Sequence, residues 1–428
     1  MATVLIVSYF FPPGNFVASN RPHSFALNLK KFGLDPVVVT RHWDEADFNW
    51  SDMDRINESP PSVIEDDNFK LIRLPYFSRW YGLCKPFHGI PVIRKLIHIF
   101  YMFFGVFYPH ESAYECFYKY ISEYVSNEPV DYIMVISSPL NIVKLGERIS
   151  KENGIPLIVD FRDLWDNELL ARAKTPSAEN RLKNYIYEFY LRRWLRSASL
   201  ITSVSQPLVD EIERIIPGKK TAVVMNGFEE TRLKQFEDQA GVKTAKFTFS
   251  VVGTLYPHQD LSIMIDGLRK FVAGKDPSKI QLNFIGAAVF PEVKKMLEDN
   301  LPQESTLITE RIPREEAIIE MGQSNVLFYP AWKGYRGVVS AKFYEYLCVG
   351  RRILIAPGDR DIIEDIIDKT NAGEIADSAD QFVSILQAWF DEWKETGTLK
   401  SETRIDLIRS YSRENQCELL AQKILEIS

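Results

Sequence analysis

A chain of 428 residues, 46% hydrophobic and 25% charged, has the length of two or three domains and the composition of a well-cored globular protein. Its formal net charge of −7 argues against nucleic acid as a partner. The four cysteines, Cys84, Cys116, Cys348 and Cys417, show neither metal-ligand nor CxxC spacing and read as reduced thiols of a cytosolic protein.

The N-terminal stretch reads as a strand without a charged leader, so no signal peptide is expected. Thr3 to Ser8 is a continuous apolar, β-branched run, the mark of a strand buried on both faces. A Pro-Pro-Gly loop carries Gly14 and Asn15, and a helical pattern from Ser19 to Phe32 ends at Gly33. Pro36 to Thr40 is the next strand, which makes a βαβ opening and predicts a parallel sheet. The single glycine of this loop, without GxGxxG, speaks against a dinucleotide site at this end. Residues 43–70 are polar and acidic, and the strand Lys70 to Leu74 follows.

From Tyr76 to Pro109 the chain is rich in aromatics, carries Arg79, Lys85, Arg94 and Lys95, and has no acidic residue. That mixture suits a helix or loop in a lipid interface, or else a helical insert packed on the domain. No apolar run reaches the ~20 residues a membrane-crossing helix needs. Val130 to Ser137 and Pro156 to Asp160 are further buried strands, with a helix from Pro139 to Asn153 between them. The second strand runs straight into Arg162 and Asp163, where open α/β sheets keep their ligands; the alternative is a mutual surface ion pair. Arg181 to Arg196 is a second aromatic and basic helix. Strands at Leu200 to Val204 and Thr221 to Met225 precede a charged, aperiodic run, Glu229 to Lys246, which reads as a linker.

The pattern restarts at Phe247 to Gly253, followed by helix Leu261 to Val272, strand Gln281 to Gly286, helix Pro291 to Asn300, strand Ser305 to Thr309 and helix Arg314 to Gln323. Ligand loops are expected at Gly253-Thr254, at Gly286-Ala287, around Arg311, and from Lys333 to Ser340. After the strand Asn325 to Pro330, a loop holding Lys333, Gly334, Arg336 and Gly337 leads to a helix with Ser340 as its N-cap. Such a helix start offers free N–H groups and a positive dipole end to an anion. Lys342 in its first turn opposes that dipole unless an anion sits there, and Glu345 one turn on reaches back far enough to take hydroxyl groups. Two Rossmann-like α/β domains with ligand loops imply a cleft between them. The bland alternative is a surface lysine and glutamate on an ordinary crossover helix.

The chain resembles glycosyltransferase family 4, the retaining nucleotide-sugar enzymes of GT-B architecture. The resemblance rests on VLIVSYFFPPGN, IVDFRDLW, SLITSVSQPLVDEI with MNGFEE, SVVGTL, AKFYEYLCVGRRIL and the C-terminal YSRENQCELLAQKIL, in the family's order. It implies an acceptor domain over residues 1–230, a donor domain over 246–407, and a C-terminal helix, 408–428, packing back on the first. It further implies a nucleotide diphosphate sugar as co-substrate, no other cofactor and no protein-held metal. The donor contacts would be Gly253, Thr254, Arg311, Lys333, Arg336, Ser340, Lys342 and Glu345, the last on the ribose hydroxyls. Asp163 and Arg162 would serve the catalytic side, and Gly14, Asn15 and Arg21 the acceptor, although Arg21 could instead pair with a carboxylate.

Three positions depart from the family pattern. Gly337 stands where a first glutamate belongs, and Thr254 and Gln259 stand where a basic pair belongs. His258, in the turn beyond Gly253, could touch a phosphate. The implied activity is sugar transfer to a glycan or polyprenyl-linked acceptor in surface polysaccharide synthesis, in the cytoplasm at the inner face of the plasma membrane, with contact through 76–110 and 181–196. An inactive relative acting as a binding or scaffold protein, or a sugar-nucleotide 2-epimerase, are the alternatives.

Overall fold

The computed structural model describes residues 1–47, 52–87, 89–108, 110–163, 178–237, 243–332, 334–400 and 402–427. These form two compact units: the described residues of Met1–Glu168, Lys174–Met225 and Gln416–Ser428 make the first, and those of Asn226–Asn415 the second.

The first unit is built on β1 (Ala2–Val7), β2 (Leu34–Arg41), β3 (Ser62–Glu65), β4 (Lys70–Leu74), β5 (Tyr132–Ile136), β6 (Leu157–Phe161), β7 (Ala198–Ser203) and β8 (Thr221–Val223). Their order is β3-β4-β2-β1-β5-β6-β7-β8, parallel throughout except for β3, which runs antiparallel to β4. The central strand β1 is buried on both faces, with Val7 between Val39 and Val135, which is why it reads as an unbroken apolar run. β3 breaks the polar stretch read from 43 to 70. It is a short edge strand with Val63 and Ile64 exposed, so neither length nor alternation announces it. The helices are α1 (Asn20–Asn28), α2 (Arg79–Cys84), α3 (Pro91–Met102), α4 (Ala113–Asn127), α5 (Asn141–Asn153), α6 (Ala178–Trp194) and α7 (Gln206–Ile215).

The second unit holds β9 (Phe247–Val252), β10 (Ile280–Ile285), β11 (Thr306–Ile308), β12 (Val326–Tyr329), β13 (Arg352–Ile355) and β14 (Gly373–Ile375), all parallel, in the order β11-β10-β9-β12-β13-β14. Its helices are α8 (Glu230–Glu237), α9 (Ser262–Val272), α10 (Pro291–Asn300), α11 (Arg314–Gly322), α12 (Ala341–Val349), α13 (Ile362–Thr370), α14 (Ala379–Thr396) and α15 (Ile405–Arg409). Aromatic side chains fill one face of the sheet, where Phe249 lies 5.7 Å from Phe328 and 6.0 Å from Phe382, ring centre to ring centre. The charged run after Glu229 contains helix α8, not only linker. Its charges are spent within this unit, Arg232 on Glu315 at 2.7 Å and Glu229 on Arg413 at 3.1 Å.

The last helix, α16 (Arg413–Leu425), carries Cys417, Leu420, Ala421 and Ile424 at helical spacing. All four are buried in the core of the first unit with Val4, Phe25 and Leu200. In each unit the strand order reverses beside the first strand, between β1 and β5 and between β9 and β12. Doubly wound sheets bind their ligands beyond the carboxyl ends of the strands at such a reversal.

Candidate nucleotide site

In the second unit the reversal brings together the loop after β9 and the loop that leads from β12 into α12. β9 is followed by Gly253, whose φ of +100° is closed to other residues without strain. A Cβ on Gly286, just past β10, would lie 3.4 Å from the Gly253 carbonyl carbon, so the two glycines allow the two loops to touch. Lys342, on the first turn of α12, reaches over this junction and donates to the Thr254 carbonyl at 3.3 Å. Arg311, from the loop after β11, donates to the Thr254 hydroxyl at 3.1 Å. Four of the residues expected to contact a donor, Gly253, Thr254, Arg311 and Lys342, are therefore gathered at one place.

The start of α12 is open. Ser340 has the extended N-cap backbone, φ −74° and ψ 153°, yet its side chain caps no amide. Instead Ser340 Oγ accepts a hydrogen bond from the Tyr329 hydroxyl at 3.1 Å. Burial pushes the Tyr329 phenol up to about 12, which keeps that donor protonated. The Ser340 side chain thus leaves the first-turn amides uncapped.

Lys342 adds a full positive charge beside them. Among the described residues no carboxylate lies within ion-pair distance of its ammonium, and burial pushes its pKa down to about 8. A half-buried lysine held near a helix N-terminus without a counter-ion is costly twice over, by desolvation and by opposition to the dipole. An anion bound at that spot removes both costs.

Glu345 lies one turn deeper with its side chain 20% exposed, and Arg314 grips its Oε1 from Nε at 3.0 Å and from Nη2 at 2.8 Å. Arg314 also lies 3.5 Å from Glu229. Arg336 is exposed on the loop, and Lys333 lies outside the described residues.

At Gly337 a carboxylate arrives from elsewhere. Its amide donates to Asp361 Oδ2 at 2.5 Å, and the neighbouring Asp359 caps α13 through the amides of Asp361, Ile363 and Glu364. Both aspartates follow β13, the next strand across the sheet. Only their position past a strand end could have pointed to them. Gln259 accepts from the Tyr256 amide at 2.9 Å and so holds the turn after Gly253. His258 lies 5.1 Å from the Trp332 ring, within a cluster that includes Tyr256.

In the first unit, Arg162 and Asp163 form an exposed pair past β6, with Nε 2.7 Å from Oδ2. Asn15 is exposed, and Gly14 lies so close to Trp43 that a Cβ there would meet its ring at 2.9 Å. Arg21 is buried and binds Asp160 through two parallel bonds of 2.7 Å, with a third contact to the Met225 carbonyl at 3.2 Å. Thr202 donates to the same carboxylate at 2.6 Å. Arg21 is therefore braced inside the unit by a carboxylate, the pairing that its sequence also allowed.

Neither a protein-family model nor a curated protein sequence matches the chain. Solved structures do. Sucrose-phosphate synthase from Thermosynechococcus elongatus superposes with a TM-score of 0.65 at 12% identity, over 100% of this chain and 99% of that one. An α,α-trehalose-phosphate synthase (UDP-forming) from Burkholderia xenovorans, in complex with glucose-6-phosphate, gives 0.62 at 10% identity over 99% and 100%. HepE from Anabaena, in complex with UDP and glucose, gives 0.56 at 12% identity over 100% of each chain. At such identities the likeness is one of fold, and it is the GT-B fold with two Rossmann-like domains.

Proposed function

We propose that the protein is a glycosyltransferase that moves a sugar from a nucleoside diphosphate sugar, with retention at the anomeric carbon, to a glycan or lipid-linked acceptor. The observation that carries this reading is the Lys342 ammonium, which pairs with no carboxylate among the described residues, beside the uncapped amides of α12. A diphosphate satisfies both, and the Glu345 carboxylate deeper along the same helix suits ribose hydroxyls. The structures of like fold include one with UDP and glucose and one with glucose-6-phosphate, which supports a sugar-transfer chemistry.

In the reaction, the bond between the anomeric carbon and the diphosphate oxygen breaks while the acceptor oxygen bonds to that carbon on the same face. The acceptor proton passes to the leaving phosphate, so no strong protein base is required. The protein's part is fixed positive charge and oriented N–H groups where negative charge grows, supplied by Lys342, the start of α12 and Arg311. Asp163, steered by Arg162, orients the acceptor hydroxyl. An acceptor built into surface polysaccharide, carried on a polyprenyl phosphate at the cytoplasmic face of a membrane, is the reading adopted for this site.

The test is turnover with a panel of nucleoside diphosphate sugars, read as released nucleotide and as glycosylated acceptor. Release or transfer with at least one donor, reduced in Lys342→Met, supports the proposal. A second reading, a nucleotide-binding protein without turnover, is favoured by Gly337, Thr254 and Gln259, where the resemblance calls for a glutamate and two basic residues. Nucleotide binding with no turnover across the panel would select it.

A further inference from the structure

The two aromatic and basic stretches, about a hundred residues apart in sequence, form one surface. The α3 helix is turned inside out. Val92, Leu96 and Phe100, spaced by four along one side, are 69%, 62% and 59% exposed, and Phe103 and Phe104 prolong the stripe. The opposite side meets the protein, where His98 and Tyr101 pack on the buried Trp80. At its end α3 joins α6: the Tyr190 hydroxyl donates to the Phe103 carbonyl at 2.5 Å, and Trp194 lies against Gly105, where a Cβ would meet its ring at 2.9 Å. On α6, Tyr185 and Phe189 are exposed in turn.

The charges around this patch have one dominant sign. Lys85, Arg94 and Lys95 are exposed, and no acidic residue occurs between Leu74 and Glu111. On the neighbouring elements Arg181, Arg192 and Arg193 are exposed, while Glu115 and Glu188 are engaged by Arg79 at 3.2 Å and Arg214 at 2.9 Å. The chain as a whole is acidic, so the basic rim is local.

We infer that this surface docks on a bilayer that carries anionic lipid, the α3 stripe entering the acyl boundary and the basic rim meeting the headgroups. Among the described residues no helix is long and apolar enough to cross a membrane, so the contact is with one leaflet. The inference stands on these residues alone. Where it meets the proposed function, it favours a lipid-linked acceptor over a free one.

The experiment is co-sedimentation of the full chain with vesicles of phosphatidylcholine, with and without phosphatidylglycerol. A Leu96→Glu/Phe100→Glu variant is run beside it and its fold checked by circular dichroism and nucleotide binding. The result expected is binding about tenfold or more stronger to anionic vesicles, weakened by salt and lost in the folded variant. Absence of vesicle binding, or equal binding by the variant, overturns it. So does a wild-type dimer in light scattering that the variant abolishes while vesicles stay unbound, which would give the patch to a second copy. Sugar transfer to a soluble acceptor is measured separately, so its failure leaves this result untouched.

Discussion

The Lys342 ammonium lies 3.3 Å from the Thr254 carbonyl oxygen and thereby ties the first turn of α12 to the loop after β9. One weak acceptor does not neutralise a lysine held in that setting. The pair marks where the second unit has positive charge to spare.

The spare charge makes binding depend on pH. With the Lys342 pKa pushed down to about 8 by burial, the proposed diphosphate should bind the protonated form, and its affinity should fall by about tenfold per pH unit well above that value. Binding near pH 8 must also take up protons. Calorimetric titration of UDP or GDP in two buffers of different ionisation enthalpy measures that uptake directly. The Lys342→Met variant should show none. The same lysine acts on folding with the opposite sign: the unfolded chain holds its proton up to about 10.5, so this group's contribution to stability rises as pH climbs from about 8 to 10.5.

Glu345 separates sugar from phosphate. If its carboxylate takes ribose hydroxyls, Glu345→Ala should weaken UDP binding by about tenfold or more while leaving inorganic diphosphate nearly unchanged, as hydrogen bonds to a charged group are worth ~1.5–3 kcal/mol. Arg314, freed from its two contacts, should make diphosphate bind no worse. Paired titrations with UDP and diphosphate decide it.

In the first unit Arg21 and Asp160 are a buried pair. Removing one partner leaves the other charged and buried, so Arg21→Ala should cost ~3–5 kcal/mol. Arg21→Met/Asp160→Asn should cost less than the sum of the singles. Denaturant unfolding followed by tryptophan fluorescence reads both.

Two neighbouring buried groups give that unit a further pH signature. Burial, with Arg41 nearby, pushes His110 down to about 4, and burial pushes Glu111 up to about 8 against the donated amide of Phe107. Neutral His110 adds stability as pH rises from about 4 to 6.5. Glu111, protonated in the fold, contributes stability that is lost as pH rises from about 4.5 to 8. The two oppose each other in mild acid, and above about 6.5 Glu111 acts alone. Thermal unfolding should therefore move to lower temperature between pH 6.5 and 8, and Glu111→Gln should flatten that fall.

Both sheets were legible in the sequence because their central strands are buried on both faces, so runs such as Val4 to Val7 and Phe247 to Val252 need no partner to be recognised. Lys342 and Gly253 could be singled out as candidates for a related reason, since each sits where a strand has just ended or a helix has just begun. What could not be read were pairings across distance. Arg314 lies 31 residues from Glu345, and Arg21 lies 139 from Asp160, and nothing local to Arg21 distinguishes a brace from a ligand contact. Asp361 reaches Gly337 because β13 lies beside β12 in the sheet. The short edge strand β3 escaped because Val63 and Ile64 are exposed, and the helix α8 because its two buried apolar residues, Leu233 and Phe236, make a single turn among charged and polar neighbours.

The most direct test is calorimetric titration of wild type and Lys342→Met with UDP and with GDP at pH 7. The account predicts that at least one nucleotide binds wild type and that the variant binds it about tenfold or more weakly while remaining folded. Equal affinity in the two proteins, or no binding of either nucleotide to wild type, would contradict it.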